Sequence, residues 1–242
     1  MTVGPGSGRR GTVLSQPPCT RTAERSICVS LTPPGGRVCN LDCLYCPFPH
    51  AEQRAHWPNP GTVEAVLRNA VRGAEVESIT VSGPGEPTLH PRFGQALAAV
   101  LSARQARPGL PVRIVTNVVR VLDPGVRRLI GFADERVVRM DADSERIEGA
   151  EPALAELRPA LQELDDFSLE SVFVDGPQGN LGEPEVEAWI ERVAALAPDC
   201  VYVTTVAEEP EEEGLRRADA ALLEAIAERL RACCDAQVRV VP

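Results

Sequence analysis

Three cysteines stand close together in the run Cys39-Asn-Leu-Asp-Cys43-Leu-Tyr-Cys46, a C-x3-C-x2-C spacing. Thiolates are the ligands that iron–sulfur clusters and structural zinc sites take. Three of them within eight residues fit one face of a [4Fe–4S] cube and leave the fourth iron open. An open metal position can bind and activate a further ligand. The rival chemistry is a Cys3His zinc site closed by His50, four residues beyond Cys46. That site would be a folding staple without catalysis.

A second chemical segment is Ser82-Gly-Pro-Gly-Glu-Pro-Thr-Leu-His-Pro91, directly after a run of β-formers. A strand running into Gly-x-Gly bares backbone N–H and C=O groups that a ligand can approach closely. A plain strand-to-helix turn would use the same residues. Further polar residues fall where other strands should end: Thr116 and Asn117, Asp141 and Asp143, Glu170 and Asp175, Gln178 and Asn180, and Thr204 to Val206.

The elements that must position these residues alternate. Strands are predicted at 26–32, 78–82, 112–116, 136–141, 169–175 and 200–206, with a last short one at 238–241. Helices are predicted at 62–74, 93–106, 124–132, 151–164, 183–196 and 217–233, the fourth interrupted near Pro159. Strand–helix alternation implies βα repeats, a parallel sheet and right-handed crossovers. Two architectures satisfy it, a doubly wound open sheet and a curved partial barrel. Either one gathers strand C-terminal ends at one edge, where α/β folds place their sites.

The cysteine spacing, with the aromatic Tyr45 just before the last cysteine, resembles that of the radical S-adenosylmethionine (SAM) superfamily. The string GEPTLHP, and in the same order VRIVTN, RMDAD and FVDGPQGN, resembles the branch of wybutosine-synthesis enzymes and related Fe–S oxidoreductases. The likeness spans roughly residues 25 to 230. It implies an α/β fold, a partial (β/α)6 barrel, over a core domain of residues 25–242, preceded by a flexible tail, 1–24. It implies a [4Fe–4S] cluster on Cys39, Cys43 and Cys46, with SAM chelated at the open iron and cleaved to start radical chemistry. Pro84-Gly85-Glu86 stands where the superfamily has a Gly-Gly-Glu-type motif for the SAM amino group, and Pro84 removes one N–H from it. By the same resemblance Tyr45, Thr116, Asn117 and Asp141 are expected beside SAM, Asp141 at the ribose hydroxyls, and strand six beside the adenine. An external one-electron donor, flavodoxin or ferredoxin, is expected to reduce the cluster.

Composition narrows the function classes. The net charge is −10, whereas a broad nucleic-acid footprint is normally basic. All basic side chains are arginine; the absence of lysine excludes Schiff-base chemistry. There is no apolar stretch of membrane-spanning length and no signal-like start, so a cytoplasmic protein is expected. Cys19, Cys28, Cys200, Cys233 and Cys234 are scattered and are not read as a second cluster. Three functions follow: a radical SAM enzyme with a small-molecule substrate, one modifying a macromolecule (tRNA or a glycyl-radical enzyme), and a zinc-stapled binding module. The acidic run Glu208 to Glu213 and the lack of an appended recognition domain favour the first.

Overall fold

A computed structural model of the chain describes residues 14–15, 25–51, 56–73 and 75–242. The strands are β1 (Leu14–Ser15), β2 (Ser26–Val29), β3 (Ser78–Val81), β4 (Val112–Asn117), β5 (Glu135–Arg139), β6 (Ser168–Val172), β7 (Val174–Asp175), β8 (Cys200–Thr204), β9 (Arg216–Arg217) and β10 (Gln237–Val241). The helices are α1 (Pro60–Gly73), α2 (Phe93–Ala103), α3 (Pro124–Ile130), α4 (Ser144–Glu148), α5 (Leu154–Gln162), α6 (Glu183–Leu196) and α7 (Ala220–Arg231).

The main sheet runs β1-β2-β3-β4-β5-β6-β8-β10. Every neighbouring pair in it is parallel except β1 with β2. The parallel strands keep chain order, so right-handed crossovers put their helices on one face. A doubly wound sheet needs a reversal of strand order, and none occurs.

The sequence of each strand explains the remaining face. Buried apolar residues alternate with polar ones: Ile79 and Val81 with Thr80, Val112 and Ile114 with Arg113, Leu169 with Glu170, Val201 and Val203 with Tyr202. The apolar set joins the helices in one large core with Leu67, Leu97, Leu161, Trp189 and Leu223. The polar set faces the inside of a curved sheet. Arg113 on β4 lies 4.8 Å from the Tyr202 ring on β8. In a flat sheet three strand spacings would part those strands by about 14 Å. The sheet is therefore rolled into an open partial barrel, with β1 and β10 at its edges among the described residues.

The two residues of β1 fall inside the expected tail and pair with Val29 and Cys28; the rest of 1–24 lies outside the described residues. Helix α5 runs through Pro159 without the expected interruption, since Leu157, Ala160 and Leu161 are anchored in the core around it. The strand expected at 169–175 is divided. The chain leaves the main sheet after Val172, and Val174–Asp175 pairs instead with β9 as a two-stranded antiparallel ribbon.

Candidate active site at the barrel mouth

The cysteine loop leaves β2 and lies across the C-terminal edge of the sheet. Its base is closed by Arg37 and His50, through Arg37 N–H to Pro49 O at 2.7 Å and Ala51 N–H to Arg37 O at 2.8 Å. One flank is fastened to the loop after β3, where Glu86 N–H donates to Val38 O at 2.8 Å. The approach is so close that a Cβ on Gly85, whose φ is +98°, would sit 2.2 Å from Val38 O. Only glycine serves there. The other flank is fastened to α4: Asp42 N–H donates to Glu148 O at 3.0 Å and Leu44 N–H to Ile147 O at 2.9 Å.

Cys39, Cys43 and Cys46 are all free and partly buried. Cys43 packs with Leu44 against an apolar nest of Tyr45, Ile147, Val172, Val174 and Leu215. Burial pushes the Cys43 and Cys39 thiols up, so metal binding there must displace protons. Arg37 is only 8% exposed, and its guanidinium lies beside Cys46. It pairs with Asp42, and one of its nitrogens is 2.9 Å from His50 Nε2.

His50 is thus engaged with Arg37 and Asp42, and its side chain is largely exposed. Among the described residues no three His, Cys, Asp or Glu side chains converge tightly enough for a single metal ion. A cube of four irons spreads its ligands more widely than one ion does, and three free thiols with a buried cation beside them fit it by donor type.

The expected SAM-site residues do converge on this edge, each held in a definite way. The Glu86 carboxylate accepts four hydrogen bonds: from Thr88 N–H at 3.0 Å, Thr88 Oγ1 at 2.6 Å, Thr116 Oγ1 at 2.8 Å and Asn117 N–H at 2.9 Å. Burial pushes its proton affinity up while these donors pull it down. Pro84 O accepts from Thr32 Oγ1. Asn117 Nδ2 reaches Asn40 Oδ1 at 2.8 Å, tying β4 to the cysteine loop. Tyr45 is buried, and its hydroxyl donates to Asp141 Oδ2 at 2.5 Å. Asp141 Oδ1 accepts from Val172 N–H at 2.7 Å. Both oxygens of Asp141 therefore serve the chain itself.

Sequence reasoning missed three members of this edge. Glu148 is fully buried against Asp141, with Oε1 unpartnered among the described residues. Burial pushes both carboxyls up, Asp141 to about 6. Arg139 forms an ion pair with Glu170, its partner in register on β6. The third is Arg37. Asn180 and Asp143 take structural roles: Asn180 bonds Val174 N–H, Ala142 O and Val172 O, and Asp143 pairs with Arg146. Cys28 and Cys200 are buried in strands, and Cys28 is disulfide-bonded. Cys233 and Cys234 follow α7 and precede β10, at the end of the sheet opposite the cysteine loop.

Residues 34–144 match the family model of the radical SAM superfamily. The matched segment contains the cysteine loop, the Gly85–Glu86 turn and the ends of β4 and β5. A curated relative, UPF0026 protein slr1464 of Synechocystis sp. (strain ATCC 27184 / PCC 6803 / Kazusa), is 30% identical over 107 residues, 43% of this chain and 39% of that one. Three solved structures share the fold. SuiB of Streptococcus suis, bound to S-adenosylmethionine, has a TM-score of 0.64 at 16% identity, over 85% of this chain and 48% of that one. Polyhistidine-tagged anSMEcpe with bound AdoMet has 0.57 at 12%, over 88% and 64%. The methyltransferase TsrM of Kitasatospora setae, with cobalamin and a [4Fe–4S] cluster bound, has 0.55 at 13%, over 92% and 55%. The chain spans less than two thirds of the length of each of these proteins.

Proposed function

We propose that this protein is a radical SAM enzyme acting on a small molecule. Cys39, Cys43 and Cys46 hold the cluster, and SAM lies along Pro84–Glu86, Thr116 and Asn117 beside Tyr45 and Asp141. Residues 25–242 form the core domain, and GEPTLHP supports placing it beside the wybutosine-synthesis-like oxidoreductases. The observation that carries the reading is the double fastening of the thiol loop, to Glu86 on one side and to Ile147 and Glu148 on the other. It holds three free thiols at the edge where parallel strands present their polar ends.

When bound, the cofactor pair supplies reductive cleavage of the sulfonium C–S bond and hydrogen abstraction from substrate. The chain's own residues supply order. Glu86 fixes the turn after β3 and the end of β4 with four hydrogen bonds, leaving the Gly85 backbone at the ligand side. Asp141 holds Tyr45 and so the last turn of the cysteine loop. The nest around Cys43 excludes water. The cytoplasm and an external one-electron donor such as flavodoxin or ferredoxin complete the reading.

Two observations support a small substrate. A cleft of about 530 Å³ opens beside Leu44, lined by Arg146, Gln178, Gly179 and Glu185, within the range small-molecule sites occupy. The five glutamates of the 208–213 segment are exposed. That segment follows β8 at the same edge, where it repels polyanions. Anaerobic reconstitution with iron, sulfide, reductant and SAM tests the proposal. 5′-Deoxyadenosine should form; a chain that loads no iron–sulfur cluster, or a loaded one that binds no SAM, overturns it.

A further inference from the structure

We infer that Arg37 tunes the cluster: its buried guanidinium supplies the positive charge that stabilises the reduced state and raises the reduction potential. The inference rests on the cluster assignment above and goes beyond it, because Arg37 is outside the cysteine motif and ligates nothing.

Four observations converge. Arg37 is more than nine-tenths buried, a costly place for a charge without compensation. Its Nε–H has no partner among the described residues. Its backbone closes the base of the cysteine loop through Pro49 O and Ala51 N–H, which fixes the point from which the side chain departs. Arg37 stands two residues before Cys39. Asp42, inside the cysteine loop, and His50, just past it, both hold the terminal nitrogen. They orient the guanidinium and leave Nε–H for another acceptor.

The physical consequence has a definite sign. Adding one electron makes the cluster more negative. A fixed cation in a region of low dielectric stabilises that state more than the oxidised one. Charge and hydrogen bonds around the sulfurs are among the levers that set such potentials. Removing Arg37 should lower the potential, and removing its exposed counter-charge Asp42 should raise it.

The test uses the full chain, reconstituted anaerobically, with iron per chain and an EPR-monitored redox titration as readouts. Arg37→Gln should retain iron and shift the reduction equilibrium about tenfold towards the oxidised state, or about 59 mV for a one-electron couple. Arg37→Lys should keep most of the wild-type value. An Arg37→Gln cluster at the wild-type potential overturns the inference, and so does an Arg37→Lys cluster as low as the Gln variant. If Arg37→Gln holds no iron, Asp42→Asn decides, since that side chain is exposed. A higher potential supports the inference, and an unmoved one overturns it. Wild-type protein without iron would instead indict the cluster assignment itself.

Discussion

At the residue scale the site depends on which groups are already satisfied. Cys43→Ala should abolish 5′-deoxyadenosine formation and most iron binding. Undiminished product from that variant would refute the ligand assignment. Tyr45→Phe removes the donor to Asp141 Oδ2 and leaves a buried acceptor unpaired, a loss of about 1–3 kcal/mol. Denaturant titration of the metal-free chain reads it directly. Asp141 also gives a pH signature. Burial raises its carboxyl to about 6, against about 3.9 in an unfolded chain. The folded state therefore binds the proton more tightly, and stability from this group falls as pH rises between those values. Wild type should lose stability relative to Asp141→Asn from about pH 4 to about pH 6 and hold steady above. A gap independent of pH would rule out the buried titration. The cysteine motif was legible because its spacing is local. Arg37 and Glu148 were not, because one looks like a loop arginine after Gly-Gly and the other like a surface glutamate. Only folding shows that both point inward.

At the element scale, alternation within each strand made the sheet legible. VRI and VYV put polar and apolar side chains on opposite faces, and the structure uses one face for the core and the other for the barrel interior. Helix α4 was invisible: five residues carry too little periodicity, and its cap, Asp143, is in the left-handed region at φ 54°. Yet α4 holds one flank of the cysteine loop. The ribbon of β7 with β9 was hidden for the same reason, since two-residue strands carry no pattern. The turn after β3 makes the sharper prediction. Gly85→Ala would drive a Cβ into Val38 O and spread the flank of the cysteine loop. Iron loading should fall severalfold while the far-UV CD spectrum stays that of the wild type. By contrast, Leu67→Ala cuts a fully buried side chain on α1. It should cost about 2–5 kcal/mol and leave iron stoichiometry unchanged.

At the scale of the whole molecule, strand order decided between the two architectures that alternation allowed. The order is monotonic, and no local sequence signal carries that information, because strand order is set by long-range packing. Among the described residues no helix is long and apolar enough to cross a membrane. Charge bears on partners. With acidic side chains in excess by ten, tRNA should show no shift in gel mobility at physiological salt. Binding that weakens steeply as salt rises would point to a nucleic-acid substrate instead.

The fastening of the thiol loop also sets an order of events during biosynthesis. The three cysteines are made before the groups that clamp their loop, Glu86, Ile147 and Glu148, the last about a hundred residues further along. A nascent chain showing only the thiols offers iron no shaped seat. On the proposed ligand assignment, the seat for the cluster is complete only once Glu148 has been made and folded against the loop.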